Sequence, residues 1–392
     1  METLIELFDE RPLENVLGVE MFQPKRAVYI CPESVARDTA LHKKMRAYFS
    51  HRKQRTELIF FKADIFEVSS VLTLLRSIVE RYPDCAMDIT GGTDAVLFAA
   101  GVLSAETPIP VFTYSRKKNC YYNIRNAAFA DGLVCPIRYP VEDFFRMAGG
   151  SVREGRVSNA LLERYLQDFD PFFQVYLQHR KDWVKVVTYL QRLSPAGSEG
   201  TFSLEVSGPY TVKGERGSRI DAPESALREL EAIGFLSGLH ISGEGVSFRF
   251  RDGQIRAWLR DVGSVLETYV YKACLDTGVF DDVRLSVIVD WEGDNKASAV
   301  SNELDVMCSR GVVPLFISCK TCDVKTEALN ELAVLRDRFG GQMARAAIVT
   351  AERANARVRS RAAELNIQVI DLADLAAEKL QARLKRCMRT GI

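Results

Sequence analysis

The sequence predicts an α/β protein of more than one domain, with a doubly wound parallel sheet at its front. At 392 residues the chain is longer than one hydrophobic core usually supports. Over the first 125 residues, short apolar runs alternate with segments of helical periodicity. The strand segments are apolar on both faces, which is typical of a parallel sheet covered by helices on both sides.

The front region, expected over residues 1–140, is predicted to contain a Rossmann-like domain with the strand order 3-2-1-4-5. An edge hairpin formed by the last two strands follows from the short connection SRKKN. The predicted strands are Leu4–Phe8, Ala27–Cys31, Glu57–Phe61, Ala86–Thr90, Pro110–Tyr114 and one near Tyr121–Ile124. The predicted helices are Leu13–Phe22, Val35–Phe49, Phe66–Arg81 and Asp94–Ser104.

Ligands of such a sheet bind at the carboxyl ends of the strands, where the strand order reverses. In the expected order, that point lies between the first and fourth strands. Glycines in the fourth-strand loop would let a phosphate approach the backbone, and the threonines and the following helix N-terminus can donate hydrogen bonds. A plain helix cap is the alternative interpretation. The candidate ligand-binding residues are Asp9, Glu10, Arg11, Thr90, Gly91, Gly92, Thr93 and Asp94.

The middle of the chain, residues 141–255, predicts a small helical and winged-helix-like module. Phe172–Leu193 has the period of one amphipathic helix, and Pro223–Ile233 is a second helix that ends at Gly234. The alternating segment after it turns at Gly243-Glu244-Gly245, as in a β-hairpin. The pattern leaves two roles open, namely nucleic-acid binding and a spacer that makes dimer contacts.

The last third, residues 256–392, predicts one helix, three antiparallel strands, a helix and a strand, with a further helix and strand behind them. The helices are expected at Ala257–Leu275, Thr326–Arg338 and Ala354–Leu365. The strands are expected at Leu285–Asp290, Asn302–Cys308, Val313–Cys319, Ala346–Thr350 and Gln368–Asp371.

A catalytic constellation follows from the two-residue period of the hairpin strands. Glu303 and Asp305 are expected on one face of their strand, with Leu304 and Val306 on the other. Phe316, Ser318 and Lys320 share a face of the next strand. Carboxylates that bind Mn²⁺ or Mg²⁺, together with a lysine that balances transition-state charge, are what phosphodiester hydrolysis requires.

Glu267 lies among apolar residues in the helix segment LETYVY, ahead of these strands. Buried acids are rare unless they are paired or bind metal. The expected metal ligands are therefore Glu267, Glu303 and Asp305, and the expected catalytic residues are Glu267, Asp305, Ser318 and Lys320.

Composition narrows the class of protein. The net charge is zero, with 52 basic and 52 acidic residues, which argues against a surface coated for bulk nucleic-acid binding. No apolar run approaches the length of a membrane span, and the acidic N-terminus lacks the features of a signal peptide, so a cytoplasmic protein is expected. The pair Cys319 and Cys322 lacks the partners of a zinc site, and a redox role for it is the alternative.

The segment NELDVMCSRGVVPLFISCKT resembles the catalytic hairpin of PD-(D/E)XK nucleases fused to CARF domains, the ancillary effectors of type III CRISPR systems. The resemblance covers nearly the whole chain, and TGGT is similar to a CARF ligand loop. It implies an endonuclease that is activated by cyclic oligoadenylate, with cyclic tetra-adenylate as the expected activator. It also implies a homodimer and a substrate of single-stranded DNA or RNA or nicked duplex DNA.

The resemblance assigns the metal-binding acid of the motif to Asp305, its lysine to Lys320 and the helix acid to Glu267. Ser318 departs from the pattern, because the family places Glu or Gln two residues before the lysine. That departure leaves the number and identity of the metal ions open, with Glu303 or a backbone carbonyl as a substitute ligand.

Two other functions remain open. A ligand-sensing transcription regulator would use the winged-helix-like module to bind DNA, although its hairpin has few basic residues. A Rossmann-fold oxidoreductase is disfavoured because no GxGxxG follows the first strand. For the favoured function, we expect a whole intervening domain between the sensor loops and the hairpin, so that activation would pass through a change in dimer geometry.

Overall fold

A computed structural model describes residues 1–154, 158–195, 203–214, 217–291 and 301–389. The strands are β1 (Thr3–Leu7), β2 (Arg26–Cys31), β3 (Glu57–Lys62), β4 (Cys85–Asp88), β5 (Val111–Ser115), β6 (Cys120–Arg125), β7 (Ser151–Glu154), β8 (Glu205–Pro209), β9 (Thr211–Lys213), β10 (Arg219–Asp221), β11 (Leu236–Ile241), β12 (Gly245–Phe250), β13 (Asp282–Asp290), β14 (Ser301–Arg310), β15 (Val313–Lys320), β16 (Arg345–Thr350) and β17 (Ile367–Ile370). The helices are α1 (Leu17–Phe22), α2 (Glu33–Ala36), α3 (Thr39–His51), α4 (Val68–Arg81), α5 (Asp94–Glu106), α6 (Val141–Met147), α7 (Asn159–Leu162), α8 (Phe169–His179), α9 (Trp183–Leu193), α10 (Glu224–Ala232), α11 (Gly253–Trp258), α12 (Ser264–Asp276), α13 (Thr326–Gly340), α14 (Ala356–Glu364) and α15 (Ala377–Cys387). Short 3₁₀ helices cover Pro12–Asn15, Glu163–Asp168, Gly341–Met343 and Leu372–Asp374.

The front sheet has the strand order β3-β2-β1-β4-β5-β6. Strands β1 to β5 are parallel, and β6 returns antiparallel to β5, as the sequence predicts. The helix expected over Val35–Phe49 is divided into α2 and α3, because the Asp38 side chain accepts a hydrogen bond from Leu41 N and caps α3. The front domain is therefore Rossmann-like, with an antiparallel edge.

The middle region contains a three-stranded antiparallel sheet in the order β11-β12-β8, with α10 before it and a separate β9–β10 pair. The single helix expected over Phe172–Leu193 is wrong. The chain leaves α8 at His179 and starts α9 at Trp183. This break places the buried Trp183 ring 5.5 Å from the Tyr176 ring, centre to centre.

The rear sheet has the order β17-β16-β15-β14-β13-β7. Strands β13, β14 and β15 are antiparallel, whereas β15, β16 and β17 are parallel. The helix expected over Ala257–Leu275 is two helices, α11 and α12, and α15 follows β17 as an additional helix. Strand β7, from the range expected for the middle module, pairs antiparallel with β13 at the edge of this sheet.

The front and rear sheets share one hydrophobic core. Helix α6 lies at the junction, where the Phe145 ring is 4.9 Å from the Phe339 ring and 6.3 Å from the Phe316 ring. Tyr29 and Phe112 of the front sheet belong to the same buried cluster. The expected separation of the two ends by an intervening domain is therefore wrong, because the sequence pattern cannot reveal that chain-distant sheets pack directly.

Ion pairs tie helix α6, at this junction, to the helices of the front domain. The guanidinium of Arg52, at the end of α3, is 3.0 Å from Glu20 of α1 and 3.0 Å from Asp143 of α6. Both carboxylates are almost fully buried, so each needs this partner to avoid an uncompensated charge. Among the helices of the described ranges, none is both long and apolar enough to cross a membrane.

Candidate functional site

The hairpin of β14 and β15 separates at the candidate catalytic residues. Its register runs from Arg310 opposite Val313 to Val306 opposite Ile317, and the pairing ends there. Asp305 and Ser318 are the next residues on the two strands. Their side chains and backbone therefore lie where the strands diverge, next to the end of the paired hairpin.

The strict alternation expected along β14 is wrong at this point. Leu304 packs in the core shared with the front sheet, whereas Val306 packs in the core beneath α12. Across β13, Ser286 adopts a left-handed conformation with φ of 54° at the position facing Asp305. The chain twists here, so that side chains two residues apart reach different cores.

Asp305 is the centre of a cluster that includes Ser318 and Lys320. One carboxylate oxygen of Asp305, Oδ2, accepts hydrogen bonds from Cys319 N at 2.6 Å and from Ser318 Oγ at 3.1 Å. Lys320 Nζ lies 3.8 Å from the same oxygen. The Asp305 side chain is 15% exposed and that of Lys320 is 36% exposed, so the lysine amino group remains accessible to a substrate.

Glu267 lies close enough to Asp305 to influence its charge. Its neighbours on α12, among them Leu266 and Val270, are fully buried, and Glu267 itself is half-buried. Burial, together with the negative charge of Asp305, raises the pKa of Glu267 to about 8, although the positive charge of Lys320 opposes the shift. Burial also raises the pKa of Asp305, against the lowering effect of Lys320 and the Cys319 amide. Two carboxylates with raised pKa values and a lysine are typical of a site that binds a cation.

Glu303 is exposed and accepts a hydrogen bond from Ser286 Oγ. Together with Glu267 and Asp261 it lines a cleft of about 130 Å³. Asp261 was missed by the sequence analysis, although the following Gly263 is a turn signal. A Cβ atom on Gly263 would lie 2.6 Å from Glu267 Oε1, so glycine leaves room for the carboxylate.

The oxygen atoms that remain fit a divalent cation. Within the described ranges, neither oxygen of Glu267 nor Oδ1 of Asp305 accepts a hydrogen bond. Hard carboxylate oxygens are the ligands that Mg²⁺ and Mn²⁺ prefer.

A compact ligand triad lies elsewhere in the described part of the chain. The one group of three possible ligands whose atoms all lie within 4.8 Å is His51, Glu142 and Asp143, on α3 and α6. Because Arg52 already contacts Asp143, this group also has a structural explanation. Glu267, Glu303 and Asp305 are more widely spaced than that triad.

The two predicted sensor loops lie side by side, because β1 and β4 are neighbours. A Cβ atom on Gly91 would be 2.7 Å from Leu7 O, and Gly92 has φ of 97°, so both positions require glycine. The Thr90 hydroxyl is bonded to Asp88 and Tyr114 N, and the Thr93 hydroxyl donates to Ile65 O.

The threonine hydroxyls are thus engaged inside the fold. Among the described residues, the amides of Gly91, Gly92 and Thr93 donate no hydrogen bond. Three unpaired donors at the start of the 13-residue helix α5 are suited to an anion.

The other predicted sensor residues shape the loops or are exposed. Asp9 Oδ1 accepts a hydrogen bond from Arg11 N at 2.9 Å, and Asp9 N donates to Asn15 Oδ1 at 2.8 Å. Glu10 is exposed, and Asp94 is the first residue of α5. Asp9 therefore stabilises the turn of its own loop.

Arg116 and Glu14 form an ion pair at the same edge of the sheet. The sequence analysis treated Arg116 as part of a hairpin tip and did not single out Glu14. The sequence did contain a signal that Arg116 belongs to the ligand edge. It directly follows β5 and so lies at the carboxyl end of a parallel strand. Burial raises the pKa of the nearby Asp88 to about 6, and it outweighs the lowering effects of Thr90 and Arg116.

Comparison with known proteins agrees with this geometry. Residues 255–388, about the last third of the chain, match the model of the Card1-like endonuclease domain. Protein VC1899 from Vibrio cholerae is 18% identical, with a TM-score of 0.75 over 99% of this chain and 98% of that one. Can2 from Sulfobacillus thermosulfidooxidans, solved in complex with cyclic tetra-adenylate, is 16% identical, with a TM-score of 0.73 over 99% of both chains. At these identities the likeness establishes a shared fold, and no curated protein matches the sequence.

Glu267→Gln should stabilise the metal-free protein at pH 9 by about 1–3 kcal/mol and have a much smaller effect at pH 5. The folded pKa of about 8 exceeds the ordinary value of 4.5, so the folded state keeps a proton that the unfolded state has lost. The free energy of unfolding therefore falls as the pH rises from 4.5 to about 8. Glutamine cannot ionise, so Glu267→Gln removes this pH dependence. The measurement is urea unfolding in EDTA at both pH values, with the exposed Glu327→Gln as the control. An equal effect of Glu267→Gln at pH 5 and pH 9 would contradict the assigned burial.

Proposed function

We propose that the protein is a metal-dependent endonuclease that cyclic oligoadenylate activates in antiviral CRISPR defence. The observation that carries this proposal is the approach of Lys320 and Ser318 to Asp305, beside Glu267, within a Card1-like endonuclease domain. The chain divides into a sensor domain over residues 1–140, a linker module over 141–255 and the endonuclease over 256–392. The linker lends β7 to the endonuclease sheet.

Glu267 and Asp305 would hold a Mn²⁺ or Mg²⁺ ion, with Glu303 as an outer ligand at the exposed rim. Such an ion lowers the pKa of a bound water and neutralises charge on the scissile phosphate. Lys320, at 3.8 Å from Asp305 Oδ2, donates to the phosphoryl oxygen or to the attacking water.

Ser318 has a role that differs from that of the carboxylate in its family position. Its hydroxyl donates to Asp305 Oδ2, as the Cys319 amide does, and both bonds lower the pKa of Asp305. Ser318 therefore favours the ionised form of Asp305 against the effect of burial, and it fixes the orientation of the carboxylate. This leaves Oδ1 of Asp305 as the atom that faces the ion.

The sensor function is supported by the unpaired amides of Gly91, Gly92 and Thr93 at the carboxyl edge of the front sheet. Cyclic tetra-adenylate, the ligand present in the structure of Can2, is the proposed activator. A two-fold symmetric ring spanning two copies of this edge fits an isologous homodimer. Single-stranded DNA or RNA, or nicked duplex DNA, is the proposed substrate.

The transcription-regulator alternative loses support in the middle region. Two of the cations on and after its hairpin are engaged by acids. Arg249 is 2.9 Å from Glu205, and Arg251 is 2.6 Å from Asp168. Guanidinium groups paired in this way contribute little to contacts with DNA phosphates.

Asp305→Ala and Lys320→Ala should each reduce cleavage by about 100-fold or more, because each removes a group that acts on transition-state charge. The assay follows labelled single-stranded DNA, single-stranded RNA and nicked plasmid with Mn²⁺ or Mg²⁺, with and without cyclic tetra-adenylate. Asp337→Ala, which removes an exposed carboxylate from α13, is the matched control and should cleave normally. Binding of cyclic tetra-adenylate should persist in every variant. Wild-type cleavage by Asp305→Ala would exclude this metal site.

Gly92→Val should abolish the response to cyclic tetra-adenylate while basal cleavage at high Mn²⁺ survives. A side chain there would lie 2.9 Å from the Leu7 Cβ atom and would have to adopt a positive φ, so the loop and its amides must move. Gly101→Val is the matched control, because it makes the same substitution in α5, where nothing lies within 4 Å of the added Cβ. Cleavage rate and direct binding are measured against activator concentration. Normal activation of Gly92→Val would exclude this loop as the sensor.

A further inference from the structure

Arg116 lies at the sensor edge but faces inward. It follows β5 directly, next to the loop that follows β4. Its side chain is 25% exposed and its guanidinium contacts Glu14, which is only 1% exposed. The positive charge of Arg116 also lowers the pKa of Asp88, which lies beneath the TGGT loop. A cation of this edge is thus paired internally, within reach of the loop amides.

The sensor edge needs that cation if it is to bind phosphates. The predicted sensor loops bring the acids Asp9, Glu10 and Asp94 to this edge, and Arg11 is already 3.9 Å from Asp9. A ligand with several phosphates would meet repulsion here unless a further positive group took part. Guanidinium groups bind phosphate with two parallel hydrogen bonds, which makes arginine the suitable partner.

Glu14 lies between the sensor edge and a turn in the last third of the chain. Its Cβ atom lies 3.4 Å from the position that a Cβ on Gly91 would take. Its Oε2 lies 4.0 Å from the corresponding position on Gly341, in the turn between α13 and β16. Oε2 is buried and, within the described residues, has no hydrogen-bond partner. Arg116 is therefore the ion-pair partner of this carboxylate among those residues.

The turn that Glu14 approaches packs against the catalytic strand. A Cβ atom on Gly340 would lie 2.8 Å from the Phe316 ring and 3.3 Å from Pro314, so the turn is closely packed against these side chains. Both contacts are on β15, and Ser318 and Lys320 follow on the same strand. A displacement of the turn is thus passed directly to β15.

We propose that Arg116 leaves Glu14 to bind a phosphate of the activating ligand, and that the released Glu14 carboxylate shifts the Gly340–Gly341 turn and so alters β15. This inference rests on the proposed activation by cyclic oligoadenylate. A buried carboxylate that loses its only cation is strongly unfavourable, so Glu14 must move, take up a proton or gain a new donor. Any movement of the Glu14 carboxylate would change its position next to the Gly341 turn.

The test uses the full chain and cyclic tetra-adenylate, with binding measured by calorimetry and cleavage measured with and without ligand. Arg116→Gln should weaken binding about tenfold or more, because a charged hydrogen-bond donor is lost. It should also raise basal cleavage, because Glu14 is left unpaired as in the activated state. Glu14→Gln should bind at least as tightly as the wild type, because Arg116 is no longer held, yet lose most of its activation. Lys117→Gln removes the neighbouring cation and should change neither property.

The double variant Glu14→Gln/Arg116→Gln removes both charges of this ion pair, so Glu14 is not left as an unpaired carboxylate and the test remains available if Arg116→Gln fails to fold. It should bind weakly without raised basal cleavage. Wild-type binding by the double variant or by Arg116→Gln would overturn the role of Arg116, and full activation of Glu14→Gln would overturn the relay. If the wild type itself bound no ligand, the proposed function would fail together with the inference, a result distinct from either of those.

Discussion

Direct packing of the front sheet against the rear sheet is the constraint on which the rest of this molecule depends. Helix α6 and the rings of Phe145, Phe316 and Phe339 fill the junction, and an ion pair of Arg52 with Asp143 ties α6 to the front helices. Such a core cannot deform gradually, because close-packed interiors transmit displacements rather than absorb them. The sensor edge and the catalytic strand are therefore parts of one packed body. Coupling between them therefore does not have to pass through the middle module.

The proposed catalytic arrangement depends on where a hairpin stops pairing. Strands β14 and β15 are hydrogen-bonded up to Val306 and Ile317, and the next residues are free to present Asp305 and Ser318 to each other. The left-handed Ser286 opposite Asp305 adds the twist that moves successive side chains between two cores. Helix α12, buried on its apolar face, then supplies Glu267 from below. A site of three acids and a lysine thus results from strand divergence and one helix contact.

Much of this arrangement is predictable because it is local. Apolar runs separated by helical periods identify the front sheet and its order. The hairpin of the two strands predicts that Asp305 lies near Ser318 and Lys320, although the strict alternation of faces fails at Asp305. The ends of helices are harder to predict from the sequence. The Asp38 cap is visible in the sequence as a cap residue, but the breaks at His179 and Trp258 depend on tertiary packing. Strand β7 has four residues, and only its pairing with a strand far along the chain makes it a strand.

Glu14 and Arg116 are 102 positions apart in the chain, and no periodicity of the sequence indicates their ion pair. The same is true of the position of Glu14 next to Gly341. Neighbours of this kind arise only when the whole fold is assembled, and here they lie between the proposed sensor edge and the proposed catalytic strand.

Hydrogen–deuterium exchange of the wild type with and without cyclic tetra-adenylate tests this link most directly. The account predicts slower exchange at the amides of Gly91, Gly92 and Thr93, together with altered exchange at Gly340–Met343 and at the end of β15. In Glu14→Gln the first effect should remain and the second should disappear. Protection confined to the front sheet of the wild type, with the Gly340–Gly341 turn and β15 unchanged, would contradict it.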